Sequence, residues 1–236
     1  VLNTEQEYDN PYTDIECWVT LQKGDVSKKV YGFWNGGDEF VVRVVATEPG
    51  EWSWKSESSP ADAGLQASGT FTAVPWSEAA LEKNPNRRGF LRDTENGHAL
   101  QYADGEPFFM VGDTWWAAST WRFPFKGETP DPDYVPAEGI GFEEAVSFRK
   151  QQGYNTIAMI AAYPNWQVDE YPAQYINEDG IGVRQAWEKN GMPTAKDMHD
   201  EAGNRPFESL DSLEIVADFN RINPAYFESL DTKIEY

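Results

Sequence analysis

Two short segments place acidic, amide and aromatic side chains directly after apolar runs. One is Gly112-Asp113-Thr114-Trp115-Trp116, after the run 108–111, and the other is Tyr163-Pro164-Asn165-Trp166, at the end of the run 156–163. A carboxylate or amide can hydrogen-bond sugar hydroxyls, and a tryptophan ring offers a flat apolar face to the C–H face of a pyranose. The candidate substrate-binding residues are therefore Asp113, Trp115, Trp116, Tyr163, Asn165 and Trp166.

These residue types also fit a purely structural role, in which Asp113 caps a turn and the tryptophans fill the mouth of a barrel. Other chemistry finds less support. The sequence has one cysteine and two histidines, too few for a Cys/His zinc site. The acidic run 197–201 could be drawn as a metal site, but side chains that are neighbours in sequence rarely converge on one ion. We therefore predict that this run is exposed to solvent. Phosphate-loop and GxSxG motifs are missing from the sequence, and we predict no metal and no cofactor.

The second half of the chain contains the elements that would position these residues. Its apolar patterns predict a strand at 108–111, buried on both faces, a helix at 142–153, a strand at 156–163 and a helix at 223–236. Alternating strands and helices imply a parallel sheet, whose carboxyl-terminal edge binds ligands. Because two parallel strands cannot close a barrel, we expect further residues, or a second chain, to complete the domain.

The first half has a different pattern. Ile15, Cys17, Val19 and Leu21 alternate with polar residues, and Asn35-Gly36-Gly37 separates two apolar runs, as in a β-hairpin. Short strands punctuated by glycine and proline continue to residue 74 and predict an antiparallel sandwich. We expect a β-sandwich at 1–75, a linker at 76–90 and the start of a barrel at 91–236.

The charge balance limits the partners. Forty acidic and 19 basic residues give a net charge of -21, which argues against nucleic acid and anionic membranes as partners. No apolar run is long enough to span a bilayer, and no signal peptide is visible at the start of the sequence.

Several motifs resemble a known family. Tyr12-Thr13-Asp14, GFWNGG (32–37), EFVVRV and Glu48-Pro49-Gly50-Glu51-Trp52 resemble the immunoglobulin-like domain that precedes certain glycoside hydrolase barrels. The segments 90–116, 153–160 and 223–236 resemble the first strand, second strand and second helix of the apiosidase-like and collagen-binding-domain type (β/α)8 hydrolases. The likeness covers most of the chain from about Tyr12.

This resemblance implies a multi-domain protein, with an immunoglobulin-like sandwich followed by the first βαβα units of a (β/α)8 TIM barrel. It implies a secreted or periplasmic glycosidase that acts on a plant or algal polysaccharide or oligosaccharide, by a retaining mechanism with two carboxylates. The catalytic pair is expected beyond Tyr236, so the segment alone would be inactive. Asp113 resembles the family's substrate-binding aspartate at the end of the first strand. The alternative is a non-catalytic carbohydrate-binding or adhesive module in which the sandwich does the binding.

Overall fold

The structure is a computed structural model that describes residues 1–127, 140–162, 199–209 and 217–236. The chain divides into two compact units, Val1–Met110 and Val111–Tyr236. No helix in these described ranges combines the length and the apolar character that crossing a membrane requires.

The first unit is rich in β-structure. Its strands are β1 (Leu2–Asn3), β2 (Glu16–Lys23), β3 (Val26–Tyr31), β4 (Phe33–Gly36), β5 (Glu39–Val41), β6 (Gly50–Ser59), β7 (Ser68–Ala73), β8 (Leu91–Asp93), β9 (Leu100–Tyr102) and β10 (Pro107–Phe108). Two short helices are α1 (Pro11–Asp14) and α2 (Glu78–Lys83), and 3-10 turns lie at Ala63–Leu65 and Pro85–Arg88. The strands form sheets in the orders β3-β2-β6-β7, β1-β5-β4 and β10-β9-β8.

The predicted alternation in β2 is confirmed. Cys17, Val19 and Leu21 are all buried, and Ile15, just before the strand, is buried with them. Ile15 and Cys17 pack against Phe40 of β5, so the first two sheets share a hydrophobic core. Burial raises the pKa of the Cys17 thiol, consistent with a structural role.

Glycines permit the tight geometry around this core. The predicted hairpin between β4 and β5 turns at Gly36 and Gly37, which have φ values of 105° and 53°. A side chain at Gly32 would collide with the Cys17 sulfur and with Val42. The residue between β3 and β4 must therefore be glycine for the chain to pass this close to the core.

The carboxylate of Asp62 connects the N-terminal residues 5–8 to the rest of the first unit. Asp62 is fully buried and accepts hydrogen bonds from the backbone N–H of Glu5 (3.0 Å), Gln6 (3.2 Å) and Gly64 (2.9 Å), and from the hydroxyl of Tyr8 (3.0 Å). Burial alone would raise its pKa, but these hydrogen bonds outweigh burial and lower it. The carboxylate thus stays ionised and fully partnered.

The second unit begins with a strand–helix–strand arrangement. Strands β11 (Gly112–Trp115) and β12 (Thr156–Met159) are parallel, and α3 (Phe142–Gln151) lies between them in the chain. The predicted helix and parallel pairing are thus confirmed. Gly153, with φ 86°, follows the end of α3. The described residues contain no closed barrel, because β11 and β12 form a two-stranded sheet.

The predicted strand at 108–111 is wrong in its position and its burial. Phe108 pairs with β9 in an antiparallel hairpin, whereas the parallel strand starts at Gly112. Between them, Phe109 is 83% exposed and Met110 is 51% exposed. The continuous apolar run 108–111 therefore contains the end of one strand and the connection to the next, and hydrophobicity alone could not locate that break.

The rest of the unit contains a hairpin and a helix. Strands β13 (Phe207–Ser209) and β14 (Ala217–Ile222) pair antiparallel, and neither strand is among those that the sequence predicts. The predicted final helix is confirmed as α4 (Pro224–Glu235), which Asn223 caps by accepting from the Ala225 N–H. Its buried face consists of Tyr226, Leu230 and Lys233. The division into 1–75, 76–90 and 91–236 stays a prediction.

Candidate functional site

Two of the predicted site residues, Asp113 and Trp115, lie together on β11. They are two positions apart and therefore face the same side of the sheet. The Asp113 Oδ2 atom is 2.5 Å from the Nε of Arg149 on α3, and the indole N–H of Trp115 donates to it at 3.4 Å. The Asp113 side chain is 26% exposed. The carboxylate is thus held in one orientation from two sides and remains open to solvent.

Trp115 has a packing role as well as a position beside the carboxylate. Its ring makes edge contacts with Phe123 and with Phe142, at centroid distances of 5.2 and 5.8 Å. These contacts fix the indole against the first residue of α3. Trp115 therefore packs against its neighbours, and its contact with substrate stays a prediction.

Trp116 differs from Trp115 in its exposure. It is 46% exposed, which leaves much of its surface accessible to a ligand. The remaining predicted residues, Tyr163, Asn165 and Trp166, lie outside the described residues. The structure therefore brings together Asp113 and Trp115, and places Trp116 next to them in the chain.

A buried lysine, which no pattern in the sequence indicates, supports the segment that follows β11. Lys233 of α4 is 4% exposed and donates to the carbonyls of Ala118 (3.0 Å) and Phe123 (2.8 Å). Its Nζ lies 3.5 Å from Oε1 of Glu201, which also accepts a hydrogen bond from the Phe125 N–H. Burial lowers the pKa of Lys233, and Glu201 opposes that shift.

The prediction that the run 197–201 is solvated is wrong for Asp200. This residue is 2% exposed, and its carboxylate accepts from the N–H of Ala202 (2.9 Å), the N–H of Asn204 (2.8 Å) and the Asn204 side-chain amide (2.9 Å). An aspartate that satisfies three donors in one loop has a structural role. In the part of the chain that the structure describes, no group of three or more acidic, histidine or cysteine side chains could hold a metal ion.

Two further contacts of aromatic side chains involve His199, next to Asp200, and Tyr226 of α4. The His199 ring stacks on Trp121 with a centroid distance of 5.6 Å and an interplanar angle of 6°. The Tyr226 hydroxyl donates to the carbonyl of Ala161, just beyond β12, at 3.0 Å, and burial raises the pKa of Tyr226 to about 12. The ends of both parallel strands are therefore anchored to α4, by Lys233 through the segment after β11 and by Tyr226.

The segment 117–127 is also tied to the start of α3. The N–H groups of Phe142 and Glu143 donate to the carbonyls of Pro124 (2.8 Å) and Phe125 (3.1 Å). A side chain at Gly141 would collide with the backbone of Gly127. Residues 124–127 and 141–143 therefore run side by side.

Comparison with known proteins places this arrangement in a family. Residues 94–236, more than half of the chain, match the model of the apiosidase-like catalytic domain. The chain belongs to the apiosidase-like family. All six candidate residues lie in the matched part of this apiosidase-like chain, and the family resemblance seen in the sequence is confirmed. Residues 1–59 match a domain of unknown function, DUF5060.

A solved structure gives a similar fold. The apiosidase-like chain is 21% identical to a "putative glycoside hydrolase" from Bacteroides vulgatus ATCC 8482, with a TM-score of 0.58. The match covers 99% of this chain and 37% of that one, so this chain spans little more than a third of that protein's length. No curated protein matches.

Proposed function

We propose that this apiosidase-like chain is part of a glycoside hydrolase that cleaves a plant or algal polysaccharide or oligosaccharide. The observation that carries the proposal is the match of residues 94–236 to the apiosidase-like catalytic domain. The parallel pair β11 and β12 is consistent with the first strands of a (β/α)8 barrel that further strands complete. Residues 1–75 serve as an immunoglobulin-like sandwich, and the protein acts outside the cytoplasm, in the periplasm or after secretion.

The mechanism that we propose uses two carboxylates that lie outside this sequence, one as acid/base and one as nucleophile. A retaining outcome requires these groups to be about 5–5.5 Å apart. The residues of this chain would bind and orient the sugar. The contacts of Arg149 and Trp115 both reach Oδ2 of Asp113, and we assign Oδ1 to a substrate hydroxyl. Trp116 would stack on a sugar ring, and Tyr163, Asn165 and Trp166 would extend this surface.

The proposal is tested first with the whole protein. It is incubated with a panel of plant and algal polysaccharides, and new reducing ends are measured. Nuclear magnetic resonance of the first-formed product then gives its anomeric configuration. We expect cleavage with retention. Failure to release sugar from any member of the panel would contradict the hydrolase, and an inverted first product would contradict the retaining mechanism alone.

The role of Asp113 is tested with Asp113→Asn in the whole protein. The amide keeps the shape but loses the charge, and we expect kcat/KM to fall about tenfold to a hundredfold. Asp104→Asn is the matched control, because Asp104 also forms an ion pair, with Arg88 at 2.7 Å, but lies in the first unit. Unchanged kcat/KM together with a lower melting temperature for Asp113→Asn would show that the pair with Arg149 only anchors α3.

Trp116 is tested in the same way. If it stacks on sugar, Trp116→Ala should raise KM about tenfold with little change in kcat, because the lost contact is made equally in the ground state and the transition state. Trp76→Ala, which removes a tryptophan that is 57% exposed in the first unit, is the control. Normal kinetics with reduced thermal stability would assign Trp116 to the core instead.

A further inference from the structure

The outer face of the sheet β3-β2-β6-β7 carries polar, charged and aromatic side chains that are ordered in rows. The inner residues of β2 and β6, such as Leu21 and Trp52, are in the core. The strand registers align the outward residues in rows across the sheet. These rows are Tyr31-Trp18-Glu57, Lys29-Thr20-Lys55-Ser68 and Ser27-Gln22-Ser53-Thr70.

The last two rows border a shallow groove. Its volume is about 510 Å³, within the range of small-ligand sites. It is lined by hydroxyl, amide and charged side chains from three adjacent strands, among them Thr20, Gln22, Ser53, Lys55, Ser68 and Thr70. Such a lining offers donors and acceptors together with apolar surface, to which Trp54 contributes.

Aromatic rings lie at one end of the face. Trp18 and Tyr31 pack edge to face at a centroid distance of 6.2 Å, and the Lys29 ammonium lies 3.7 Å from one centroid and 4.5 Å from the other. Tyr31 is 58% exposed. The Lys29 side chain is flexible, so its ammonium can move aside and donate to a group that stacks on the rings.

A carboxylate lies between the rings and the groove. Glu57 is directly opposite Trp18 in the register and also lines the groove. A hydrogen bond from Lys55, at 2.9 Å, lowers the pKa of Glu57, and a weaker one from Trp18 acts in the same direction. Glu57 therefore presents acceptor oxygens beside an aromatic surface.

We propose that this face binds a neutral polysaccharide chain, which lies across the strands from Tyr31 and Trp18 over the groove to Thr70. Rings for the C–H faces, with hydroxyls, an amide and a carboxylate for the hydroxyl groups, match a polyhydroxylated ligand. Four strands span three steps of about 4.8 Å, enough for a short stretch of sugars.

Charge and polarity disfavour the other classes of partner. A polyanion would be repelled by a chain with a net charge of -21, and Lys55 is already paired with Glu57. A protein partner would need a cluster of large apolar side chains at the centre of its interface, whereas seven of the nine residues that line this groove have polar side chains. A neutral glycan meets neither obstacle.

This binding surface lies within the first unit and is independent of hydrolysis. Its failure would leave the proposed hydrolase intact, because binding and cleavage are measured separately.

The test is affinity electrophoresis of the full chain in gels that contain mixed-linkage β-glucan, xyloglucan or galactomannan. Alginate and polygalacturonate serve as polyanionic probes. We expect retardation by at least one neutral polymer, with Tyr31→Ala weakening the apparent affinity about tenfold. Tyr31→Phe, which keeps the ring, should bind almost normally. Trp76→Ala is the matched control, because Trp76 is also exposed with a cation, Arg87, 4.4 Å from its ring, but is outside the sheet.

A second variant keeps the test decisive if Tyr31→Ala is poorly folded. Thr20→Val with Gln22→Ala removes a hydroxyl and an amide from the groove, and we expect a similar loss of affinity without loss of the circular dichroism spectrum of the sheet. The proposal is overturned by absence of retardation in every neutral polymer, by retardation in the polyanions only, or by folded variants that bind as tightly as the unaltered chain.

Discussion

Replacement of Lys233 by methionine should weaken the second unit substantially. The ammonium donates to two backbone carbonyls of the segment after β11 and lies 3.5 Å from Glu201. Hydrogen bonds that involve a charged group contribute about 1.5–3 kcal/mol each, so two of them represent about 3–6 kcal/mol. Methionine fills similar volume and removes the cost of burying a charge, which returns about 1–2 kcal/mol. We therefore expect Lys233→Met to lower the free energy of unfolding by about 1–5 kcal/mol.

The measurement should report on the second unit alone. Hydrogen–deuterium exchange with mass spectrometry, followed through a guanidinium titration, gives separate unfolding free energies for peptides from 117–127 and from α4. Lys150→Met makes the same chemical change at an exposed position of α3, and we expect it to alter stability by less than about 0.5 kcal/mol. Equal effects of Lys233→Met and Lys150→Met would refute the view that Lys233 anchors the segment.

Three further predictions concern buried groups. The pKa of Asp62 is lower in the folded protein, so its carboxylate stabilises the fold fully above the unfolded-state pKa, and this contribution is lost as pH falls through the folded-state pKa. Asp62→Asn should therefore cost about 2–4 kcal/mol at pH 7 and less at pH 3. A cost that stays constant with pH would contradict this reasoning. The pKa of Tyr226 is shifted in the opposite direction, up to about 12, so the free energy of unfolding should fall as pH rises above about 10. Tyr226→Phe should lack this alkaline loss of stability when unfolding is measured as a function of pH. In the core of the first unit, Leu21→Ala should lower the free energy of unfolding in denaturant by about 2–5 kcal/mol. Val74→Ala, at a position that is 77% exposed, should lower it by less than about 0.5 kcal/mol.

The fold of the first unit was predictable where a local pattern determines it. In β2, side-chain direction alternates with every residue, so the polar and apolar pattern alone identified the buried face at Cys17, Val19 and Leu21. The hairpin at Gly36 and Gly37 was predictable because its turn needs positive φ. The break after Phe108 was not, because the residues on both sides are apolar and only long-range pairing decides which sheet each joins.

The candidate site was predictable in part. Asp113, expected just after the first strand, lies within β11, but the parallel pairing followed from the strand–helix–strand pattern. The partner Arg149 did not, because it reaches Asp113 from a helix whose register on the sheet is set by packing. Lys233 and Asp200 were missed for a related reason: charged residues are normally expected on the surface, and their burial here depends on carbonyls and N–H groups supplied by loops.

The side-by-side course of residues 124–127 and 141–143 makes this point of the apiosidase-like chain a natural place for variation. Residues 124–127 and 141–143 are neighbours in space, because the N–H groups of Phe142 and Glu143 hold the two segments together. The entropy of closing a loop grows only slowly with its length, by about 0.6 kcal/mol for each doubling. A peptide grafted between residues 127 and 141 would therefore start and end at positions that these hydrogen bonds already hold together, so the added length should cost little stability.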